Sequence, residues 1–219
     1  MNQPFSVAFV RPTAFGTLAA VHLPGGVEAV TNDVLARLHP DERALAQAMR
    51  GRRQIEFTGG RLAFRALRPS SEGLGTGARG EPLCPRGLSV SVTHKRDLAL
   101  AVVGDAGLGT LGLDLEGDGR ARMTIAERVL RPEELDEVLR LGEAERWPAV
   151  LLRFALKEAA YKAIHPHLLR FVGFQEAKVA VAGAQVTLSI VGEPGLVLEG
   201  AWEALGDSSV LASVRALKR

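Results

Sequence analysis

Residues 110–116 read Thr-Leu-Gly-Leu-Asp-Leu-Glu. Side chains of a strand alternate between its two faces, so a strand gathers the three leucines on one face. The other face then carries Gly112, Asp114 and Glu116. The leucine face is expected to pack into a core, leaving the carboxylates on the side away from it. Like charges this close repel unless a cation lies between them, and oxygen-only donors suit a hard divalent ion. Read alone, the pattern equally fits a solvated strand face running into a turn.

The rest of the chain arranges itself around this strand. Residues 5–10 and 17–23 read as strands. A helical stretch follows from Pro40-Asp41-Glu42 to about Leu67, with breaks expected at Gly51 and at Gly59-Gly60. Residues 69–87, rich in Gly, Pro and Ser, read as a loop, and 88–94 and 98–104 as strands. After 110–116 the pattern predicts helices near 125–130 and 132–141. The longest helix runs from about Glu145 to Ile164 and is expected to stop at Pro166. Runs 177–182, 185–191, 196–204 and 209–215 read as strands, with Trp202 in the core of their sheet. The fold class is therefore α+β: two similar halves, 1–108 and 109–219, each with an antiparallel sheet and helices. No close internal repeat stands out in the residues, although a structural one is compatible with this order.

Composition excludes several classes. Apolar residues make up 47% and charged residues 24%, which suits an ordinary globular core. The single cysteine, Cys84, allows no internal disulfide and no zinc-finger spacing, and points to a reducing, cytoplasmic setting. The first residues lack a basic start followed by an apolar run, and no stretch approaches 18 apolar residues, so neither a secretory signal nor a membrane span is expected. Residues 1–108 carry 13 Lys/Arg against 9 Asp/Glu, and residues 109–219 carry 14 against 16. A basic half with an acidic half suits a polyphosphate and a metal, though so small an asymmetry also arises by chance. Aromatics at 5% do not supply the stacking platform of a nucleic-acid binder.

Three more segments carry chemistry. In RFALKEAAYKAIHP, 153–166, Glu158 and Lys162 share a helical face and Lys157 lies on an adjacent one. Such pairs also decorate exposed helices. In SVTHKRD, 91–97, His94 ends a strand, where it can donate to a phosphate or simply be a satisfied surface histidine. In RRQIEFTGGRLAFRALR, 52–68, Arg61, Arg65 and Arg68 form a basic stripe with Arg53 before them. Guanidinium forks suit phosphates, and a solvated helix face has the same look.

Taken in order, these segments resemble the 4′-phosphopantetheinyl transferases of the surfactin/enterobactin-synthase type. The matching stretches are EFTGGRLAFRAL, GEPLCPRG, SVTH, GLDLE, KEAAYKA and the following HPHLLRFVGF, spanning roughly residues 50–182. Cys84 stands where relatives usually have Trp, Arg79 near where many have Lys, and Phe154 where some have Trp.

The resemblance implies the phosphopantetheinyl transferase fold, a pseudo-dimer of two halves in one chain acting as a monomer. It implies that 1–108 binds coenzyme A phosphates and 109–219 carries magnesium and catalysis. Asp114, Glu116 and Glu158 would hold magnesium, with manganese as a substitute. Glu158 would take the proton of the acceptor serine, directly or through water, and Lys162 would stabilise pyrophosphate charge. Arg53, Arg61, Arg79, Thr93, His94 and Lys157 would contact coenzyme A. The partner would be an apo carrier protein, or a carrier domain of a nonribosomal peptide, polyketide or fatty acid synthase, with no nucleic acid or membrane involved. The products would be holo carrier protein and 3′,5′-ADP. Rival expectations are a non-catalytic coenzyme-binding relative and a magnesium-dependent phosphohydrolase acting without a carrier.

Overall fold

A long helix laid across an antiparallel sheet recurs twice along the chain. The computed structural model describes residues 3–26, 29–69, 72–78, 80–117, 121–206 and 209–219, and divides into two compact units, 1–108 and 109–219. No helix among the described residues is long and apolar enough to cross a membrane.

In the first unit, strands β1 (Val7–Thr13) and β2 (Gly16–His22) form a hairpin. Helices α1 (Asn32–Leu35), α2 (Pro40–Ala48) and α3 (Gly51–Leu67) follow, then the two-residue strands β3 (Gly75–Thr76) and β4 (Pro82–Leu83), and then β5 (Leu88–Lys95) and β6 (Leu98–Asp105). The sheet order is β1-β2-β6-β5, all antiparallel. Phe64, Ile55 and Leu62 of α3 are buried in one cluster with Ala19, Val21 and Ala101 of the sheet. The expected break at Gly51 is present: Gly51 opens α3 with φ +55°. The break expected at Gly59-Gly60 is absent. A Cβ on Gly59 would lie 2.2 Å from Leu23 Cδ2 and one on Gly60 2.5 Å from Val92 Cγ1. These glycines let helix and sheet approach, and that packing outweighs their low helix propensity of about 1 kcal/mol each.

In the second unit, β7 (Thr110–Gly117) precedes α4 (Ala126–Val129), α5 (Pro132–Leu139) and α6 (Glu143–Leu168). A meander follows: β8 (Ala177–Ala182), β9 (Gln185–Ile190), β10 (Leu196–Ala204) and β11 (Ser209–Lys218). The order is β7-β11-β10-β9-β8, with β11 returning antiparallel beside β7. Leu156, Ala159, Ala160 and Ala163 of α6 share a core with Ala212, Val214 and Ala216 of β11, and Trp202 packs against it. Contrary to expectation, α6 runs past Pro166. The proline gives up the hydrogen bond to the Lys162 carbonyl, but Thr110 Oγ1 donates to the Ala163 carbonyl at 2.6 Å and fastens this turn to β7. The helix ends at Leu169 in the left-handed region, φ 52°.

The two units repeat one device that is faintly visible in sequence after all. Leu38-His-Pro-Asp-Glu42 and Leu130-Arg-Pro-Glu-Glu134 each begin a short helix with Pro at its first position. In each, the last glutamate is 1% exposed. Glu42 accepts from His39 N and Arg65 Nε, and Glu134 from Arg131 N and Lys157 Nζ. Both basic partners lie 23 residues downstream, on the long helix of their own unit.

Candidate active site

Gly112 sets the geometry of the second unit's site. Across the β7–β11 ladder, Gly112, Asp114 and Glu116 pair with Val214, Ala212 and Val210. Those residues belong to the core under α6. The carboxylate face is thus the helix-covered face, and the leucine face is buried as well. The expectation that Asp114 points away from the core is corrected: Asp114 is 6% exposed. At Gly112 the strand meets the helix backbone so closely that a Cβ would lie 1.8 Å from the Ala159 carbonyl oxygen.

This approach brings the KEAAYKA helix onto the GLDLE strand. Lys162 Nζ donates to Asp114 Oδ1 at 2.7 Å and to the Leu113 carbonyl at 2.8 Å. Glu158, one turn earlier, is half-buried. Its carboxyl is pushed above the usual range, first by burial and then by the negative charge of Asp114, with Glu116 adding and Lys162 opposing. Three carboxylates therefore feel one another beside the Lys162 ammonium, an oxygen-rich set. Among the described residues no three His, Cys, Asp or Glu side chains form a ready-made metal cage. The donor chemistry nevertheless fits a hard divalent ion, which would relieve the carboxylate repulsion that Lys162 relieves only in part.

Lys157 is 2% exposed, and its ammonium donates to the Val129 carbonyl (2.8 Å), Glu134 Oε2 (2.7 Å) and the Phe174 carbonyl (3.0 Å). All three protons are committed inside the unit, so Lys157 ties α4, α5 and the segment after α6 to the long helix, and it also lines the cavity beside Glu158. Its spacing from Glu158 carries no sign of this; the matching spacing of Glu134 and Lys157 to Glu42 and Arg65 does. Beside Glu158 opens a cavity of about 260 Å³, with Tyr161, Phe171, Val172 and Phe174 in its lining. Tyr161 stands in that wall with its ring centroid 6.0 Å from Phe171.

The first unit holds the basic residues. Arg61 is 5% exposed and sits over the Phe57 ring, 4.4 Å from its centroid. Its Nη2 donates to Thr76 Oγ1 (2.8 Å) and the Gly75 carbonyl (3.2 Å). Burial depresses its pKa to about 10; Glu42 opposes this, and the nearby charge of Arg53 adds to it. Two guanidiniums close enough to repel, Arg53 exposed on the first turn of α3 and Arg61 aimed by the 75–76 segment, make a place for an anion. His94 lies on β5 with Nδ1 3.5 Å from Glu56 Oε1, and Thr93 beside it is buried. Glu56 also holds Arg52 at 3.0 Å. Arg79 lies outside the described residues.

Comparison with known proteins agrees with the ordered motifs. The 4′-phosphopantetheinyl transferase superfamily model matches residues 110–203, and the 4′-phosphopantetheinyl transferase N-terminal domain model matches residues 41–104. The 4′-phosphopantetheinyl transferase Npt of Nocardia iowensis is 32% identical over 167 residues, 72% of this chain and 73% of the relative. The 4′-phosphopantetheinyl transferase PptT of Mycobacterium tuberculosis is 31% identical over 147 residues, 64% of this chain and 63% of the relative. Among solved structures, the holo-(acyl-carrier-protein) synthase of Thermotoga maritima aligns at 25% identity and TM-score 0.43, covering 51% of this chain and 64% of that one.

Proposed function

This chain belongs to the 4′-phosphopantetheinyl transferase superfamily, whose reaction moves the 4′-phosphopantetheine arm of coenzyme A onto a carrier-protein serine, and we propose that it runs that reaction with magnesium at Asp114, Glu116 and Glu158. The observation that carries this assignment is the Lys162–Asp114 contact, which seats the KEAAYKA helix on the GLDLE strand and gathers the three carboxylates around one ammonium. Magnesium, when bound, neutralises negative charge on the coenzyme pyrophosphate and on the departing ADP.

The chain's own residues do the rest. Arg53, Arg61 and His94 hold coenzyme phosphates, with Arg79 as a further candidate. The cavity beside Glu158 takes the pantetheine arm, whose methylenes suit the aromatic wall. The serine oxygen of the carrier bonds to the β-phosphorus, the bond from that phosphorus to the bridging oxygen breaks, and 3′,5′-ADP leaves. Glu158 accepts the serine proton. Lys162 supplies fixed positive charge where charge builds up on the phosphoryl oxygens. The basic residues and the carboxylates stand in one chain, which supports action as a monomer.

The test is incubation of the protein with coenzyme A, magnesium and a panel of apo carrier proteins. A gain of one phosphopantetheine per carrier with release of 3′,5′-ADP is expected. Coenzyme A cleavage without carrier modification would instead identify a phosphohydrolase.

A further inference from the structure

Glu42 is one of the most buried carboxylates in the chain, yet nothing in the transfer chemistry above uses it. Such a group is tolerated only when its oxygens are fully engaged. Oε2 accepts from His39 N at 3.0 Å and from Arg65 Nε at 3.2 Å; Oε1 accepts from Leu74 N at 2.8 Å. The three bonds join the start of α2, the last turns of α3 and the segment leading to β3.

That segment aims Arg61. Leu74, pinned by Glu42, is fully buried. The next residue supplies the Gly75 carbonyl and the one after it Thr76 Oγ1, the two acceptors of Arg61 Nη2. Gly73 seals the other side against His39, where a Cβ would meet Nδ1 at 2.7 Å. A continuous route thus runs from Glu42 through the Leu74 amide and the 75–76 acceptors to the Arg61 guanidinium.

We propose that Glu42 is a positioning residue for coenzyme recognition, holding residues 74–76 so that the Arg61 guanidinium keeps its aim at a coenzyme phosphate. This rests on Arg61 being a phosphate contact. The second unit uses the same piece in the same way: buried Glu134 accepts from Lys157 and from Val179 N at 2.7 Å. It thereby fixes the residue next to Glu158. In both units a buried glutamate at the start of a short helix stands directly behind a reactive charge.

The test compares Glu42→Gln, Arg61→Ala and the double variant in the full-length protein, with apo carrier as acceptor. Glu42→Gln is expected to raise the apparent KM for coenzyme A about fivefold to tenfold, the range that follows from weakening one charge-assisted hydrogen bond. Its kcat and its KM for the carrier should stay within twofold of wild type. In the Arg61→Ala background the same change should add nothing to the coenzyme KM. A merely structural Glu42 would lower the unfolding midpoint and the active fraction, seen as lower kcat, with coenzyme KM unchanged, and that result overturns the proposal. So does an undiminished effect of Glu42→Gln on coenzyme KM in the double variant. If Arg61→Ala itself leaves coenzyme KM unchanged, the phosphate assignment of Arg61 fails, and positioning with it. A raised KM in Arg61→Ala beside an unchanged one in Glu42→Gln removes only the positioning role. Should Glu42→Gln fail to fold, Thr76→Val removes an Arg61 acceptor without touching the carboxylate. The same rise in coenzyme KM is expected there, and its absence is equally fatal.

Discussion

Replacing Gly112 with alanine adds one methyl group at the closest approach of β7 and α6. The new Cβ would stand 1.8 Å from the Ala159 carbonyl oxygen and 2.7 Å from Ala163 N. Real Cβ atoms essentially never approach closer than 3.0 Å, so the helix must lift by about 1.2 Å. Both obstacles are helix backbone, so no rotamer change relieves them. At Gly59 the nearest obstacle is the tip of Leu23, which can swing aside, and at Gly25 nothing lies within 4 Å. Overpacking of this kind costs about 1–3 kcal/mol. It also stretches the 2.7 Å Lys162–Asp114 contact, and a misplacement of about 1 Å in a catalytic group can cost about a hundredfold in rate. Gly112→Ala should therefore lose about a hundredfold in carrier modification while still folding, with an unfolding midpoint a few degrees lower. Gly59→Ala should lose far less, and Gly25→Ala nothing. Product mass on the carrier measures the first effect, and calorimetry the second. Turnover within threefold of wild type in Gly112→Ala would refute the argument that this glycine sets the helix on the strand.

Lys157→Ala strands Glu134 as a buried, unneutralised carboxylate and should cost about 3–5 kcal/mol of stability, as read by denaturant midpoint. Asp114→Asn should abolish magnesium-dependent turnover, followed by titrating the metal, whereas near-normal turnover at low magnesium would remove Asp114 from the ion's ligands. Because the Glu158 pKa is raised in the fold, its contribution to stability is present below the ordinary carboxylate value of 4.5 and lost as pH rises through the raised one. In metal-free buffer Glu158→Gln should thus be more stable than wild type at neutral pH, and the gap should close as the buffer is taken well below pH 4.5. Wild type should prefer coenzyme A over dephospho-coenzyme A by at least about tenfold in KM, and Arg53→Ala/Arg61→Ala should erase most of that preference.

Strong periodicity made the strands 88–95, 98–105 and 110–117 readable almost to the residue, and showed that long helices exist without fixing where they end. The failures share a cause, since tertiary contact overrode a local signal. Gly59-Gly60 and Pro166 look like helix stops in one dimension, but sheet packing and the Thr110 clamp keep both helices running. That Asp114 and Glu116 share one face of β7 was legible from alternation, but the burial of Asp114 was not, because alternation cannot say that both faces of β7 are covered. The three bonds that Lys157 donates within its unit were not legible, because a motif records which residue is present and not where its protons go. Nothing in the local sequence around Glu42 or Glu134 marks its burial, although the shared Leu-x-Pro-acid-Glu signature and the matching distance to a basic residue are there to be compared.

That duplicated device also supplies a common ruler for the two long helices. Aligning Glu42 with Glu134 and Arg65 with Lys157 sets Arg61 opposite Arg153 and Ala66 opposite Glu158. The two frames are alike, but only the second has an acid at this position. The proton acceptor proposed above thus has no counterpart in the first unit, so coenzyme A is expected to saturate the protein at one equivalent, with the first unit holding charge rather than moving a proton.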